Sequence, residues 1–252
     1  MLGEISLGAP RTEVLSAVYR GQLNVHGLGF SPDHHTIAVV SSGSNSVSFI
    51  DTGTNVVKGV TYIGRAPHEA FFTPDGKEVW ATDRGQDYIS VIDAATFKEG
   101  VRIAVADGPG MTLFRPDGRV AFVVSSFTPE VDVIDMQTRA VVARIPVTSP
   151  FSPNLFISAD DREVWMTHKD VGRVTVIDAQ TFEVRAVICR RHRGYAGHRP
   201  GTSLGRRGRG AVGAPRGCQG GGRLRPGGAA VAAALTRQIG SSPTVIGRRA
   251  RQ

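Results

Sequence analysis

The sequence predicts an all-β fold, a β-propeller of four-stranded antiparallel blades, because two independent markers recur along the chain at one interval. The dipeptide Pro-Asp recurs every 42 residues, at Pro32, Pro74 and Pro116, and a fourth copy is changed to Ala159-Asp160. The dipeptide Ile-Asp recurs in phase with it and ends at Asp51, Asp93, Asp135 and Asp178. Repeats of about 40 to 45 residues that carry four short strands are typical of propeller blades.

Each unit reads as four strands, which the second copy shows most clearly. "EAFF" and "KEVWAT" are apolar strands joined by the turn "TPDG", in which Pro74 presets φ and Gly76 can adopt a positive φ. "YISVID" alternates like a half-buried strand, and "FKEGVRIAV" is a more polar fourth strand. Asp93 and Thr96 are expected to close the hairpin between these two strands. We therefore interpret the repeated Asp residues as turn residues rather than as a ring of metal ligands.

The repeat divides the chain into four complete units and two flanking segments. We place the blades at residues 26–66, 67–108, 109–149 and 150–188, and we interpret residues 1–25 as one strand of a preceding blade with its connection. Trp80 and Trp165 occupy equivalent strand positions and are predicted to pack between blades. Four blades of a larger ring leave two blade faces uncovered, so the sequence predicts an incomplete ring that self-associates through its open edges. The alternative is a closed ring, since four-bladed propellers exist.

Residues 189–252 form a segment of different composition, with 15 Gly, 14 Arg, 9 Ala, 4 Pro and no acidic residue. Residues 1–188 hold 16 Lys and Arg against all 22 Asp and Glu, so the basic excess of the chain lies entirely in this tail. Its composition predicts disorder. An Arg- and Gly-rich tail of this kind can bind nucleic acid, but a repeated motif is lacking and Tyr195 is its only aromatic residue. We favour a frameshifted end of a GC-rich gene, with nucleic-acid binding as the lesser alternative.

Targeting signals and cysteines restrict the interpretation further. The sequence contains no apolar run long enough to span a membrane, and its start, "MLGEISLGAP", lacks the basic and apolar regions of a signal peptide. Taken literally, the chain is expected to be cytoplasmic. Cys189 and Cys218 are its only cysteines and both lie in the tail, which leaves the repeats without a disulfide framework or a cysteine-rich metal site.

The phrase "PHEAFFTPDGKEVWATDRGQDYISVIDAAT" resembles the YVTN-type β-propeller repeat family. The resemblance covers residues 26–187 as four tandem units, and a more distant one extends to the haem-d1 propeller domains of cytochrome nitrite reductases. It implies a bacterial propeller of about seven blades that binds a ligand or a protein partner. It also implies export to the periplasm or the cell surface, although this chain begins without an export signal.

In propellers, the loops that enter each blade and the loops that join its second and third strands cluster on one face, where ligands usually bind. On this face we place His26, Arg65, His68, Asp83, Arg84, Ser125, Asn154, His168 and Lys169. His26 and His68 occupy equivalent positions and are the candidate ligands for a metal or a haem, or for an anion when they are protonated. The simpler alternative is that each imidazole hydrogen-bonds loop backbone.

The sequence favours a non-enzymatic binding or scaffold propeller that presents this loop face to a small ligand, a cofactor or a protein partner. The motifs G-x-S-x-G and H-E-x-x-H and the P-loop are absent, so we assign no catalytic residue and no obligatory cofactor. The alternative is a metal- or haem-dependent enzyme, either haem-d1-like or lactonase-like. In a lactonase-like site, Glu69 and Asn154 would belong to the metal-binding set.

Overall fold

Sixteen β-strands form four antiparallel sheets in a computed structural model that describes residues 4–5, 7, 24–150 and 154–189. Blade 1 comprises β1 (Val25–Phe30), β2 (Thr36–Ser41), β3 (Ser46–Asp51) and β4 (Val57–Tyr62), and blade 2 comprises β5 (Pro67–Phe72), β6 (Glu78–Asp83), β7 (Tyr88–Asp93) and β8 (Glu99–Ala104). Blade 3 comprises β9 (Pro109–Phe114), β10 (Val120–Ser125), β11 (Glu130–Asp135) and β12 (Val141–Pro146), and blade 4 comprises β13 (Leu155–Ile157), β14 (Glu163–His168), β15 (Arg173–Asp178) and β16 (Val184–Cys189).

The strands of each blade pair in chain order, which confirms the predicted all-β architecture and gives four blades of an incomplete β-propeller. All described residues belong to the unit Met1–Arg216. The basic tail beyond Cys189 lies outside the described residues, as does most of the predicted preceding strand and its connection. Within the described part of the chain, no helix is long and apolar enough to cross a membrane.

The repeated Asp residues act in turns, as the spacing predicted. In blade 2, Asp93 Oδ1 accepts hydrogen bonds from the backbone N–H of Thr96 (2.7 Å), the Thr96 hydroxyl (2.8 Å) and the backbone N–H of Ala95 (3.1 Å). Asp51, Asp135 and Asp178 bind the backbone of their own hairpins in the same way. Because one carboxylate oxygen satisfies several donors of a tight turn, the same pair of residues can recur once per blade without any ligand.

Three of the hydrophobic clusters formed by the described residues span two neighbouring blades, and a smaller one packs Leu7 against Val39 and Ile50 of blade 1. Ala70 and Phe72 on β5 pack with Val40 and Phe49 of blade 1. Trp80 of blade 2 packs with residues of blade 3, and Leu155 of blade 4 packs with Phe122 of blade 3. The first strand of a blade therefore seals the interface with the blade before it.

The face of β1 that points away from blade 2 has no blade packed against it among the described residues. Leu28 and Phe30 occupy the positions of Ala70 and Phe72 one repeat earlier, yet they are 53% and 51% exposed. In blade 2 these positions are buried against blade 1. Leu28 and Phe30 thus mark the predicted open edge of the arc, where a preceding blade would pack.

The face of β1 that points towards blade 2 lies very close to β5, and a glycine on this face makes the close approach possible. A Cβ at Gly29 would lie 2.5 Å from the carbonyl oxygen of Ala70 and 3.2 Å from the Cα atom of Phe71. Both of these are backbone atoms, so they can move only if the two blades separate. We therefore expect Gly29→Ala to lower the free energy of unfolding by about 1–3 kcal/mol, the usual cost of overpacking, as measured by urea denaturation.

Gly100→Ala on the outer strand β8 is the matched control, since its Cβ would find the nearest atom, the Val91 carbonyl oxygen, at an ordinary 3.8 Å. There the loss of chain entropy in the unfolded state should leave stability unchanged or raise it by about 0.5 kcal/mol. Equal stability of the two variants would contradict the close approach of β1 and β5.

Candidate functional site

The first strand of blades 1, 2 and 3 contains a β-bulge close to its start. In blade 2 the register shifts between Pro67, which pairs with Asp83, and Ala70, which pairs with Ala81. Two residues, His68 and Glu69, therefore face a single residue on β6. A bulge breaks the alternation of side chains along a strand and re-aims them. The bulges thus give the candidate residues at the strand starts their orientation.

The two equivalent histidines form successive steps of a hydrogen-bonded ladder between blades. His26 Nδ1–H donates to the carbonyl oxygen of His68 (3.0 Å), and His68 Nδ1–H donates to the carbonyl oxygen of Gly110 (2.7 Å). Each bond reaches the equivalent position one repeat further along the chain. Their rings also contact each other, with centroids 4.0 Å apart. The predicted alternative, imidazole bound to backbone, is therefore realised at Nδ1 of both residues.

Glu69 joins the two histidines. Its Oε1 lies 3.6 Å from His26 Nδ1 and 3.8 Å from His68 Nδ1. Space for the carboxylate exists because the facing residue on β1 is Gly27, whose Cβ would lie 2.0 Å from Glu69 Oε2. One ligand atom from each of the three side chains lies within 4.8 Å of the other two. We call His26, His68 and Glu69 the inner-strand cluster.

Burial shifts the protonation of this cluster. Burial lowers the pKa of His68 to about 4, and the nearby His26 and Arg84 act in the same direction. Burial raises the pKa of Glu69 to about 7. His68 is therefore neutral at physiological pH, and its 3.8 Å approach to Glu69 is not an ion pair. The cluster combines a neutral imidazole with a carboxyl group that changes charge near neutrality.

A second set of predicted residues lies at the end of the second strand of each blade. Asp83, Ser125 and His168 are equivalent in the repeat and buried. His168 Nε2 lies 2.6 Å from the Thr175 hydroxyl, and the Ser125 hydroxyl accepts the backbone N–H of Thr128 at 2.7 Å. The Ser125 hydroxyl also donates to the carbonyl oxygen of Asp107, and His168 Nδ1 lies 3.3 Å from the carbonyl oxygen of Ser149, so both side chains are held where one blade joins the next. The structure does not bring His168 together with the inner-strand cluster.

The remaining predicted residues flank the cluster or lie apart from it. Arg84 is half-buried, its guanidinium lies 5.9 Å from the ring centroid of Phe127, and its charge acts on His68. Arg65 is exposed and donates from Nη2 to the carbonyl oxygen of Gly85 (3.2 Å). Asn154 and Lys169 are exposed residues of blade 4. Of the predicted set, only His26 and His68 meet directly, with Arg84 beside them.

A cleft of about 580 Å³ opens at the opposite end of blades 2 and 3, between the Pro-Asp turns. Its polar groups bind one another: Asp75 accepts the Thr73 hydroxyl (2.7 Å), and Arg139 pairs with Glu78. These contacts stabilise the turns and leave the cleft without a convergent set of ligand-binding groups. The inner-strand cluster is therefore the better candidate site.

Sequence reasoning did not join Glu69 to the two histidines. In an unbroken strand His68 and Glu69 would point to opposite sides, and only the bulge relaxes this alternation. A signal was nevertheless present in the aligned repeats, because the position of Glu69 is taken by Gly27 one repeat earlier. A glycine facing a longer side chain on the neighbouring blade indicates close approach.

Comparisons with known proteins agree with this architecture. Residues 58–156 match the family model described as Lactonase, 7-bladed beta-propeller. Among solved structures, the chain is similar to Kuenenia stuttgartiensis hydrazine synthase, with 26% sequence identity and a TM-score of 0.62 over 66% of this chain and 49% of that chain. The chain thus spans about half the length of that structure. No curated protein matches it. These findings support a β-propeller, while the YVTN-type resemblance stays a prediction.

Proposed function

We propose that this protein is a binding propeller that holds a small polar ligand at the inner-strand cluster. The observation that carries the proposal is the convergence of His26, His68 and Glu69 at the β-bulges of two adjacent blades. Side chains that serve only the fold are satisfied by neighbouring groups, as Asp93 is in its turn and as the two histidines are at Nδ1. Among the described residues, no group donates a hydrogen bond to the Glu69 carboxylate. The cluster instead places imidazole and carboxyl groups together at one end of two innermost strands, the end of a propeller where ligands usually bind.

Binding rather than catalysis is favoured by the composition of the cluster. Neither histidine adjoins a hydroxyl or thiol nucleophile in the contacts of the described residues, which a nucleophilic mechanism would require. His68 is a hydrogen-bonded neutral ring, which suits the role of a ligand-binding group.

The test uses two defined probes, inorganic phosphate and Zn²⁺, and follows the Cε1–H resonances of the histidines by NMR. At least one probe should shift the His26 and His68 resonances saturably, with a Kd below about 1 mM. His34 and His35, which are exposed at the Pro-Asp turn of blade 1, serve as internal controls and should not shift in parallel. If neither probe shifts His26 or His68 selectively, the proposed binding function is wrong.

A lactonase-like hydrolase is the second candidate, and the family-model match over residues 58–156, which include Glu69, favours it. In such a reaction Glu69 would take a proton from water as the water oxygen attacks the lactone carbonyl. It would return this proton to the ring oxygen as the ring C–O bond breaks, which gives a hydroxy acid. Incubation with glucono-δ-lactone at about pH 7.5, where the Glu69 carboxyl is largely ionised, with the spontaneous hydrolysis rate subtracted, distinguishes the two. Turnover that Glu69→Gln abolishes would replace the binding function by an enzymatic one, and an absorption spectrum with a Soret band would favour the haem alternative.

A further inference from the structure

We propose that His26, His68 and Glu69 bind a divalent transition-metal cation of the Zn²⁺ type. This inference rests on the proposed function, because it names the ligand class that the inner-strand cluster would take. One ligand atom from each residue lies within 4.8 Å of the other two. Two imidazoles with one carboxylate are a common ligand set for zinc and related metals, and three protein ligands leave a further position open.

The hydrogen bonds of the two histidines fix which nitrogen can bind a metal. A backbone carbonyl oxygen can only accept, so the bonds to the carbonyl oxygens of His68 and Gly110 require a proton on Nδ1 of each ring. The neutral ring then carries its lone pair on Nε2. Metal-binding histidines usually donate their other N–H to a carboxylate or a backbone carbonyl, which holds the ring in place. Both rings already have this arrangement, and binding through Nε2 would preserve it. The Glu69 carboxylate, which lies nearest to the two Nδ1 atoms, would have to turn towards Nε2 to complete the site.

Glu69 is the part of the cluster that the ladder does not explain. Its Oε1 approaches the two Nδ1 atoms only to 3.6 and 3.8 Å, which is longer than a hydrogen bond. Among the residues that the structure describes, no N–H or O–H group donates to its carboxylate, although the side chain is only 21% exposed. Partly buried carboxylates normally have a donor or a cation, and here Gly27 clears the space that the carboxylate occupies.

The charges around the cluster predict what completes the coordination. With Glu69 ionised, the site and a divalent cation together carry one positive charge, and Arg84 adds another nearby. This surplus favours an anionic ligand or a water molecule at the open position. The metal would thus be accessible to small anions at the end of the blades, which links it to the binding function.

The experiment loads the full chain, stripped with a chelator, with Co²⁺ as a spectroscopic substitute for Zn²⁺. We expect a d–d absorption band that saturates with metal, disappears on addition of Zn²⁺, and accompanies a shift of the His26 and His68 resonances. Glu69→Gln and His26→Gln should each weaken binding about tenfold or more. His26 is the histidine to replace because its side chain is 44% exposed and its loss should leave the fold intact. His35→Ala at the opposite end of blade 1 is the control and should bind Co²⁺ like the unaltered protein.

Three outcomes would overturn the metal site. These are an absence of Co²⁺ uptake, uptake unchanged by both substitutions, and uptake that leaves the His26 and His68 resonances unshifted. Phosphate that shifts the two histidines while Co²⁺ and Zn²⁺ do not would leave the binding function standing and refute only the metal. Failure of all three probes would refute both.

Discussion

Trp80→Ala is expected to lower the free energy of unfolding by about 3–5 kcal/mol, the usual cost of removing a fully buried aromatic side chain. Trp80 has no exposed surface and packs with Ala121 and Val123 of the next blade. Its ring meets Phe114 edge to face at 5.3 Å between centroids. Truncation to alanine leaves a cavity between blades 2 and 3 that neither rigid sheet can close. Urea denaturation followed by far-UV circular dichroism measures the loss without depending on tryptophan fluorescence.

The indole N–H of Trp80 adds a polar link across the same interface. It donates to Glu78 Oε2 (3.0 Å), while the other oxygen of Glu78 accepts from Arg139 of blade 3. Trp80→Phe keeps most of the packing and loses this hydrogen bond, so its cost should be clearly smaller than that of the alanine variant. Val101→Ala, at a 44% exposed position on the outer strand β8, is the control and should change stability by about 0.5 kcal/mol or less. A loss below about 1 kcal/mol for Trp80→Ala would contradict the packed interface.

The fold could be predicted from the sequence because its signals are local and repeated. The turn chemistry of Asp93 and Thr96 depends on residues three apart, so its recurrence in each unit shows where every hairpin lies. The predicted packing of Trp80 between blades is confirmed. Side chains alternate between the two faces of a strand, so a large apolar residue must lie on one face of the sheet, where the neighbouring blade buries it.

The candidate site was only partly predictable, because it depends on the pairing register of neighbouring strands as well as on the 42-residue repeat. The repeat places His26 and His68 at equivalent positions, and adjacent blades bring them together. The bulge that adds Glu69 arises from the pairing of β5 with β6, which no residue spacing encodes. Asp83 shows the same limit, because its position in the repeat placed it on the loop face with the candidate binding residues, whereas its side chain is buried at the end of β6.

Asp83 forms the centre of a buried polar chain in blade 2. The Ser90 hydroxyl lies 2.7 Å from Asp83 Oδ2 and 2.7 Å from Glu99 Oε1. One hydroxyl proton cannot satisfy two carboxylates, so one of the two acids must be protonated for both contacts to be hydrogen bonds. Arg102 donates to Glu99 from Nε (2.8 Å) and Nη2 (3.2 Å) and so favours its ionised form. Asp83 is therefore the acid that holds the proton, which it donates to Ser90.

The charges around Asp83 agree with this assignment. Burial raises the pKa of Asp83 to about 7, and the neighbouring Glu99 acts in the same direction against Arg102. Burial opposes ionisation of Glu99 as well, but its hydrogen bonds from Arg102 and Ser90 keep the pKa of Glu99 below its ordinary value. Tyr88 on β7 also faces the chain, and burial raises the pKa of its hydroxyl, so it stays neutral below pH 10. Asp83 is thus the member of this group that titrates near neutrality.

Asp83→Asn is expected to remove a pH dependence of stability that the unaltered protein shows between about pH 4 and 7. The pKa of Asp83 is about 7 in the folded protein against an ordinary 3.8, so the folded state binds the proton more tightly. Its contribution is fully present below pH 3.8 and is lost as the pH rises through 7, with a size on the order of 4 kcal/mol. Asparagine has the shape of the protonated acid and can donate to Ser90 at every pH.

The test measures the free energy of unfolding of Asp83→Asn and of the unaltered protein in urea at several pH values. The difference between the two proteins reports on Asp83 alone, because Glu69 and His68 titrate equally in both. The variant should be the more stable protein at pH 8 and should lose this advantage towards pH 4. Asp93→Asn is the matched control. Its exposed carboxylate has a pKa held below the ordinary value by hydrogen bonds from Thr96, so its contribution is lost only as the pH falls below about 4. If the unfolding free energies of Asp83→Asn and the unaltered protein instead change in parallel with pH, Asp83 is ionised in the folded state. The shared proton would then lie on Glu99, which the two hydrogen bonds from Arg102 disfavour.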